Sequence, residues 1–137
     1  MQRLLMDKAS EFPVRVYYED TDFSGNVYHA SYLKFLERGR TEWLRALGIH
    51  HSELARDGLA FAVRNMEIGF EAAAGIDDEL LVTTNVTNIS GARIFLDQGI
   101  LRNGQLITRA EVVIVVINEA GKAIRIPKEL RDMFVDR

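Results

Sequence analysis

From Phe12 to Glu19 the chain alternates, with Val14, Val16 and Tyr18 on one side and Arg15, Tyr17 and Glu19 on the other, the period of a strand. The period then changes. Between Ser31 and Leu47, the residues Tyr32, Phe35, Leu36, Gly39, Trp43, Ala46 and Leu47 form one stripe at helical spacing, while Lys34, Glu37, Arg38, Glu42 and Arg45 fall largely elsewhere. This spacing predicts a long helix, closed by Gly48 at C′ with Arg45 suited to its negative end. Gly39 costs that helix roughly 1 kcal/mol of propensity against Ala. In the apolar stripe it lets the helix lie close against a sheet. A shorter helix is predicted from Ser52, as N-cap, to Asp57, with Gly58 after it.

The second half reads as strands: Leu59 to Phe70, Glu79 to Ile89, Arg93 to Arg102 and Leu106 to Asn118. In the third, Ile94, Leu96 and Ile100 alternate against Phe95 and Asp97. Asn103-Gly104 is a hairpin signal, because both central residues of a type I′ turn need positive φ. Asn118 to Lys122 reads as a turn, and Pro127 opens a last short helix to Phe134. The run Val112 to Ile117 has no polar face, so both of its faces should be covered. One helix must therefore cover a largely antiparallel, five-stranded sheet, an α+β arrangement. A single helix covers only one face. The simplest second cover is another copy of the chain, so a homodimer or homotetramer is expected.

Length and composition narrow the rest. At 137 residues a single domain spanning 1–137 is expected, with the first ten residues poorly ordered. A hydrophobic fraction of 47% and a charged fraction of 27% are those of an ordinary soluble globular protein. A net charge of -3 gives no electrostatic footprint for nucleic acid. There is no cysteine, which excludes a disulfide scaffold, a thiolate nucleophile and a thiolate metal site, and which suits a reducing compartment. The opening MQRLLMDKASEF is not patterned as a signal peptide, and no apolar run is long enough to span a bilayer. A cytoplasmic protein is expected.

The chemistry concentrates in YYEDTDFSGNVYHASYLKF, residues 17 to 35, where Glu19, Asp20 and Asp22 crowd between a strand and a helix. Taken singly, Asp20 and Asp22 read as turn formers, because Asp bonds nearby backbone. His29 has two open readings, a helix-start residue satisfied by backbone or a group facing a substrate. Tyr28 and Tyr32 read as packing, His50 and His51 as surface residues, and Glu37 as a helix-surface acid. No Gly-rich phosphate loop is present.

As a whole, the pattern Asp20-x-Asp22-x-x-Gly25-x-x-Tyr28-His29-x-x-Tyr32 resembles the active-site signature of hotdog-fold acyl-CoA thioesterases, in the 4-hydroxybenzoyl-CoA thioesterase family. It looks most like the Tol-Pal-associated branch. The resemblance continues through Phe35 to Arg45 and Phe61 to Met66 and covers nearly the whole domain. Two departures stand out. Ala72-Ala73-Ala74 replaces a frequent Pro-Ala pair, and Ser24 and Asn26 stand where apolar residues are common.

The resemblance implies a hotdog fold, a sheet wrapped around one long helix, and hydrolysis of an acyl-CoA without metal or cofactor. Thioester hydrolysis needs a nucleophile, or a base acting on water, and a donor for the developing oxyanion. The resemblance gives Asp22 the first role, as nucleophile or general base. It gives the backbone N–H of His29, at the positive end of the helix, the second. Gly25 permits the sharp turn between them. The neighbouring acids should raise the Asp22 pKa modestly, with the helix end pulling it down. The resemblance also puts Tyr28 and Tyr32 beside the substrate, and basic Arg93, Lys122 and Arg125 near the CoA phosphates; a solvated basic rim is the plainer reading of those three. Acyl-carrier protein is a further possible partner. The competing readings are a hydratase or dehydratase of the same fold, and a non-catalytic acyl-carrier or envelope-complex interaction module.

Overall fold

The computed structural model describes residues 3–4 and 10–136. Most of the expectation for the first ten residues lies outside the described ones, but β1 (Arg3–Leu4) pairs antiparallel with β8 (Val135–Asp136). After β2 (Ser10–Arg15) come a 3-10 turn (Tyr18–Asp20), α1 (His29–Ala46) and α2 (His51–Arg56). Four long strands follow: β3 (Ala60–Phe70), β4 (Glu79–Ser90), β5 (Arg93–Arg102) and β6 (Gln105–Ile117). The chain closes through β7 (Ala123–Ile124) and α3 (Lys128–Asp132). The main sheet is antiparallel in the order β2-β4-β5-β6-β3, and β7 takes over beside the end of β6 where β5 leaves off.

The local signals explain the joints. Asn103 and Gly104 have φ of 52° and 80°, as a type I′ turn requires, and Arg102 pairs with Gln105 across it. At the end of α1, Gly48 N–H bonds Arg45 O and Ile49 N–H bonds Leu44 O, a Schellman closure. α1 packs over β2, β4 and β5. Its buried stripe is Tyr32, Phe35, Leu36, Gly39, Trp43 and Leu44, set against Val82, Val86, Ile94, Leu96, Ile100, Val112 and Ile114 of the sheet. Each large apolar side chain so buried contributes about 1.5–3 kcal/mol. A Cβ on Gly39 would sit 2.5 Å from Val82 Cγ1, so the missing side chain sets how closely helix and sheet approach.

Four expectations need correction. The first strand ends at Arg15 rather than continuing to Glu19. Asp20 Oδ2 accepts the Tyr17 N–H at 2.8 Å and curls the chain, so Tyr18 is exposed instead of sharing a face with Val14 and Val16. On α1 the buried residue is Leu44, and Ala46 is exposed. Helix α2 starts two residues earlier than a Ser52 cap would place it, with His50 at the N-cap and no side-chain cap bond. In the run Val112 to Ile117, Val112, Ile114, Val115 and Val116 are buried within the chain, while Val113 and Ile117 are half-buried. That strand is therefore largely covered without a second copy. The less covered row is on the edge strand β3. Its register with β6 turns Phe61, Val63, Met66, Ile68 and Phe70 toward the helix side, and Val63 and Phe70 stay exposed.

Candidate active site

Between the 3-10 turn and α1, residues 21 to 28 form a tight turn held on two sides. Thr21 bridges Val27, Asp22 N–H bonds Asn26 O at 2.9 Å, and Gly25 N–H bonds Asp22 O at 3.0 Å. Gly25 carries φ of 85°, which a side chain resists. On the sheet side, Val27 N–H bonds Ala74 O at 2.8 Å and Ile76 N–H bonds Gly25 O at 3.2 Å. The 73–78 segment is itself pinned. Tyr32 Oη accepts the Ala74 N–H at 2.9 Å, and Asp78 Oδ2 accepts the Gly75 N–H at 2.9 Å. Arg102 Nη1 reaches both Ala73 O and Asp78 Oδ2.

The two aspartates of the turn differ in kind. Asp20 is buried; its carboxylate accepts the Tyr17 N–H and its carbonyl accepts the Tyr28 N–H at 2.9 Å. It is used up as a frame. Asp22 is exposed, and its Oδ1 accepts the Ser24 N–H at 2.8 Å and the Ser24 hydroxyl. Its pKa lies below the ordinary carboxylate value. The Ser24 hydroxyl is the largest cause, then the Ser24 amide, with smaller help from the Asn26 amide and the charge of His29. The expected upward pull from Glu19 and Asp20 is absent among these causes, because local donors dominate at an exposed carboxylate. Asp22 is thus held in its ionised form.

Helix α1 begins directly after the turn. Its N-cap, Tyr28, offers no side-chain cap bond, and Ser31 N–H bonds Tyr28 O at 2.8 Å. Among the described residues no acceptor meets the N–H groups of His29 and Ala30. They remain open donors at the positive end of an 18-residue helix. The His29 ring lies 4.9 Å from that of Phe70, and Tyr32 lies 5.4 Å from the same ring. Tyr28 is exposed, whereas Tyr32 is buried with its hydroxyl engaged by Ala74, so the structure gives Tyr32 a place in the frame.

The structure thus brings Asp22, Gly25, Tyr28 and His29 together, with Tyr32 behind them. Arg93, Lys122 and Arg125 form a second, exposed group. Arg93 opens β5, Lys122 and Arg125 bracket β7, and Ile126 N–H bonds Gly91 O at 3.2 Å. This group sits at the far end of β4 from the turn, and β4 has 12 residues. An extended strand of that length spans roughly 40 Å. Within one chain these basic residues are not beside Asp22. Glu37 is exposed on α1, and the exposed His51 ring lies 6.0 Å from Phe61.

Two features escaped the sequence reading. Ser24 was noted only as a departure, although Asp-x-Ser is the spacing of an Asx turn. Arg40 is buried beneath α1, with Nη1 on Gln98 Oε1 at 3.0 Å. Gln98 Nε2 in turn donates to Leu36 O and Thr84 Oγ1. Burial lowers the Arg40 pKa. Position 40 follows Leu36 by four on the buried stripe, so helical spacing alone marks it.

A curled antiparallel sheet around one long helix, with an acid-bearing turn at the helix start, is the hotdog fold of thioesterase-type proteins. The chain belongs to the thioesterase-like superfamily, which matches it over residues 16–134. It is 42% identical over 132 residues to the acyl-CoA thioesterase YbgC of Haemophilus influenzae, covering 95% of this chain and 97% of that one. Among solved structures, it is similar to a probable thioesterase from Bartonella henselae, with 47% identity, a TM-score of 0.83, and coverage of 87% of this chain and 99% of that one. A 1,4-dihydroxy-2-naphthoyl-CoA thioesterase from Synechocystis aligns with a TM-score of 0.84 at 26% identity, covering 92% and 95%.

Proposed function

We propose that this chain hydrolyses acyl-CoA thioesters, with Asp22 as nucleophile or general base and the His29 backbone N–H polarising the thioester carbonyl. The observation that carries this reading is Asp22 itself. It is an exposed carboxylate held ionised, in a turn pinned against the uncapped start of α1. As nucleophile, a carboxylate oxygen attacks the carbonyl carbon, the C–S bond breaks, and water then hydrolyses the resulting anhydride. As general base, Asp22 takes a proton from water while the water oxygen bonds the carbonyl carbon. The departing sulfur receives a proton in either route, and the products are a free acid and CoA. The open amides at the start of α1 suit the oxyanion, since they need no reorganisation as charge develops. The printed names of the H. influenzae and Synechocystis relatives support the substrate class.

The finer assignments belong to the same reading. We place the chain in the Tol-Pal-associated branch and in the cytoplasm, with acyl-carrier protein thioesters as a further substrate source and no metal or cofactor. Among the described residues no helix is long and apolar enough to cross a membrane. A homodimer or homotetramer is supported by the edge strand β3, whose helix-side apolar row α1 leaves partly exposed. A second copy also offers a way to bring Arg93, Lys122 and Arg125 toward the CoA phosphates, since one chain holds them far from Asp22. Purified protein should turn over at least one member of a panel of short, long and aromatic CoA thioesters. No turnover across that panel would leave the interaction-module reading in front.

A further inference from the structure

We propose that Ser24 is a positioning residue for Asp22, gripping one carboxylate oxygen through its hydroxyl and leaving the other to face the reacting groups. The proposal rests on the reading of Asp22 given above. Asp22 is exposed, so packing does not hold its side chain. An exposed carboxylate turns about its side-chain torsions, whereas attack on a carbonyl, or on a proton, needs a fixed oxygen. Both donors that reach it from Ser24 fall on the same atom, Oδ1. Oδ2 takes no bond from Ser24, and it is the oxygen left to face the reacting groups. The lowered pKa agrees with this, and the Ser24 hydroxyl is its first cause.

The amide bond alone would be an ordinary Asx turn. The hydroxyl is additional. The bonds that close the turn around Asp22 are otherwise backbone: Asp22 N–H to Asn26 O, Gly25 N–H to Asp22 O, Val27 N–H to Ala74 O and Ile76 N–H to Gly25 O. None of these bonds uses the Ser24 side chain, and Ser24 is exposed. Removing the hydroxyl should therefore spare the fold and the amide bond while loosening the carboxylate.

The test compares Ser24→Ala, Ser24→Thr and Asp22→Asn on a CoA thioester that the wild type hydrolyses. For Ser24→Ala, kcat should fall by about 3- to 30-fold, less than the roughly 10²-fold that a 1 Å misplacement costs. KM should stay within about twofold, because the hydroxyl faces Asp22 and not the substrate. The acid limb of kcat/KM should move to higher pH, since that limb follows the free-enzyme carboxylate and the lost hydroxyl was holding its pKa down. Ser24→Thr keeps a hydroxyl and should restore both rate and profile. A carbon-13 titration of the Asp22 carboxyl in wild type and Ser24→Ala reads the same shift without catalysis. If Ser24→Ala keeps the wild-type kcat and pH profile while Asp22→Asn is inactive, the hydroxyl has no such role and the catalytic reading survives alone. A raised KM at unchanged kcat also overturns the proposal. Wild-type turnover by Asp22→Asn removes this proposal and the catalytic reading together.

Discussion

Two regions of the molecule shift the pKa of a charged side chain downward, and the same direction has opposite meanings in each. In the turn at residues 21 to 28, donors from Ser24 favour the charged form of Asp22. In the seam between α1 and the sheet, burial disfavours the charged form of Arg40. The turn spends its backbone bonds on holding a charge at the surface, where a substrate can meet it. The seam hides its cation among Gln98, Thr84 and the Leu36 carbonyl, where the linked bonds fix the helix on the sheet. The glycines of the two regions differ in the same way. A Cβ on Gly25 would meet nothing within 4 Å, but its φ of 85° resists a side chain. Gly39 has an ordinary helical backbone, but a Cβ there would collide with Val82. Damage to the turn should therefore cost chemistry, and damage to the seam should cost the fold.

The largest effect expected is at Asp22. Asp22→Asn keeps the side-chain shape and an oxygen for the Ser24 donors but removes the charge and the basic lone pair. Loss of a general base costs about 10² to 10⁴ in rate, so thioester turnover should drop by at least that order. Melting temperature and oligomeric state should stay near wild type, because the carboxylate is exposed and bonds only its own turn. Asp20→Asn is the internal control. Its side chain serves the Tyr17 N–H, a bond that an amide oxygen also accepts, so turnover should change far less. Turnover by Asp22→Asn at the wild-type rate would erase the distinction between the two regions.

Gly25→Val should come next. A β-branched residue at positive φ is a backbone outlier, so the turn should shift and move Asp22 relative to the start of α1. Turnover should fall by at least about tenfold, with a circular dichroism spectrum like that of the wild type. Unchanged turnover would mean that this turn does not set the position of the catalytic carboxylate.

How much of this was readable in advance differs between the regions. The hairpin at Asn103-Gly104 and the apolar stripe of α1 were legible because each is dictated by local chemistry, positive φ in one case and 3.6-residue periodicity in the other. The motif around Asp22 was legible as a pattern of residue types. Its electrostatics were not, because counting nearby acids predicts an upward pull, and the Asx-turn spacing announces the Ser24 amide but not the Ser24 hydroxyl on the same oxygen. The end of β2 was misplaced because Asp20 captures the Tyr17 amide and overrides the alternation that continues to Glu19. Arg40 was missed because residue type and periodicity disagree there, and a partner 58 positions away, Gln98, decides the matter. Arg93, Lys122 and Arg125 fall at one end of the sheet, but sequence proximity to strand ends does not say which end that is.

The smallest change tests the seam. Gly39→Ala adds one methyl group to α1, and two terms oppose each other. Ala in a helix interior is favoured over Gly by roughly 0.5–1 kcal/mol. Against that, the new Cβ would lie 2.5 Å from Val82 Cγ1 and 3.3 Å from Val82 Cβ, with Gln98 Nε2 at 3.5 Å. Val82 is fully buried on β4 between β2 and β5, and a β-branched side chain has little freedom at χ1. The helix must therefore lift, which also stretches the bonds from Gln98 to Arg40 and Leu36. Overpacking of this kind costs about 1–3 kcal/mol, so the steric term should win and the melting temperature should fall by several degrees. Turnover per folded molecule should stay near wild type, because the turn is held by its own backbone and by the 73–78 segment. Val82→Ala in the same chain supplies the missing space, so the double variant should be more stable than the sum of the single losses predicts. If Gly39→Ala instead raises the melting temperature, the seam has slack, and the close approach of helix and sheet is not what Gly39 provides.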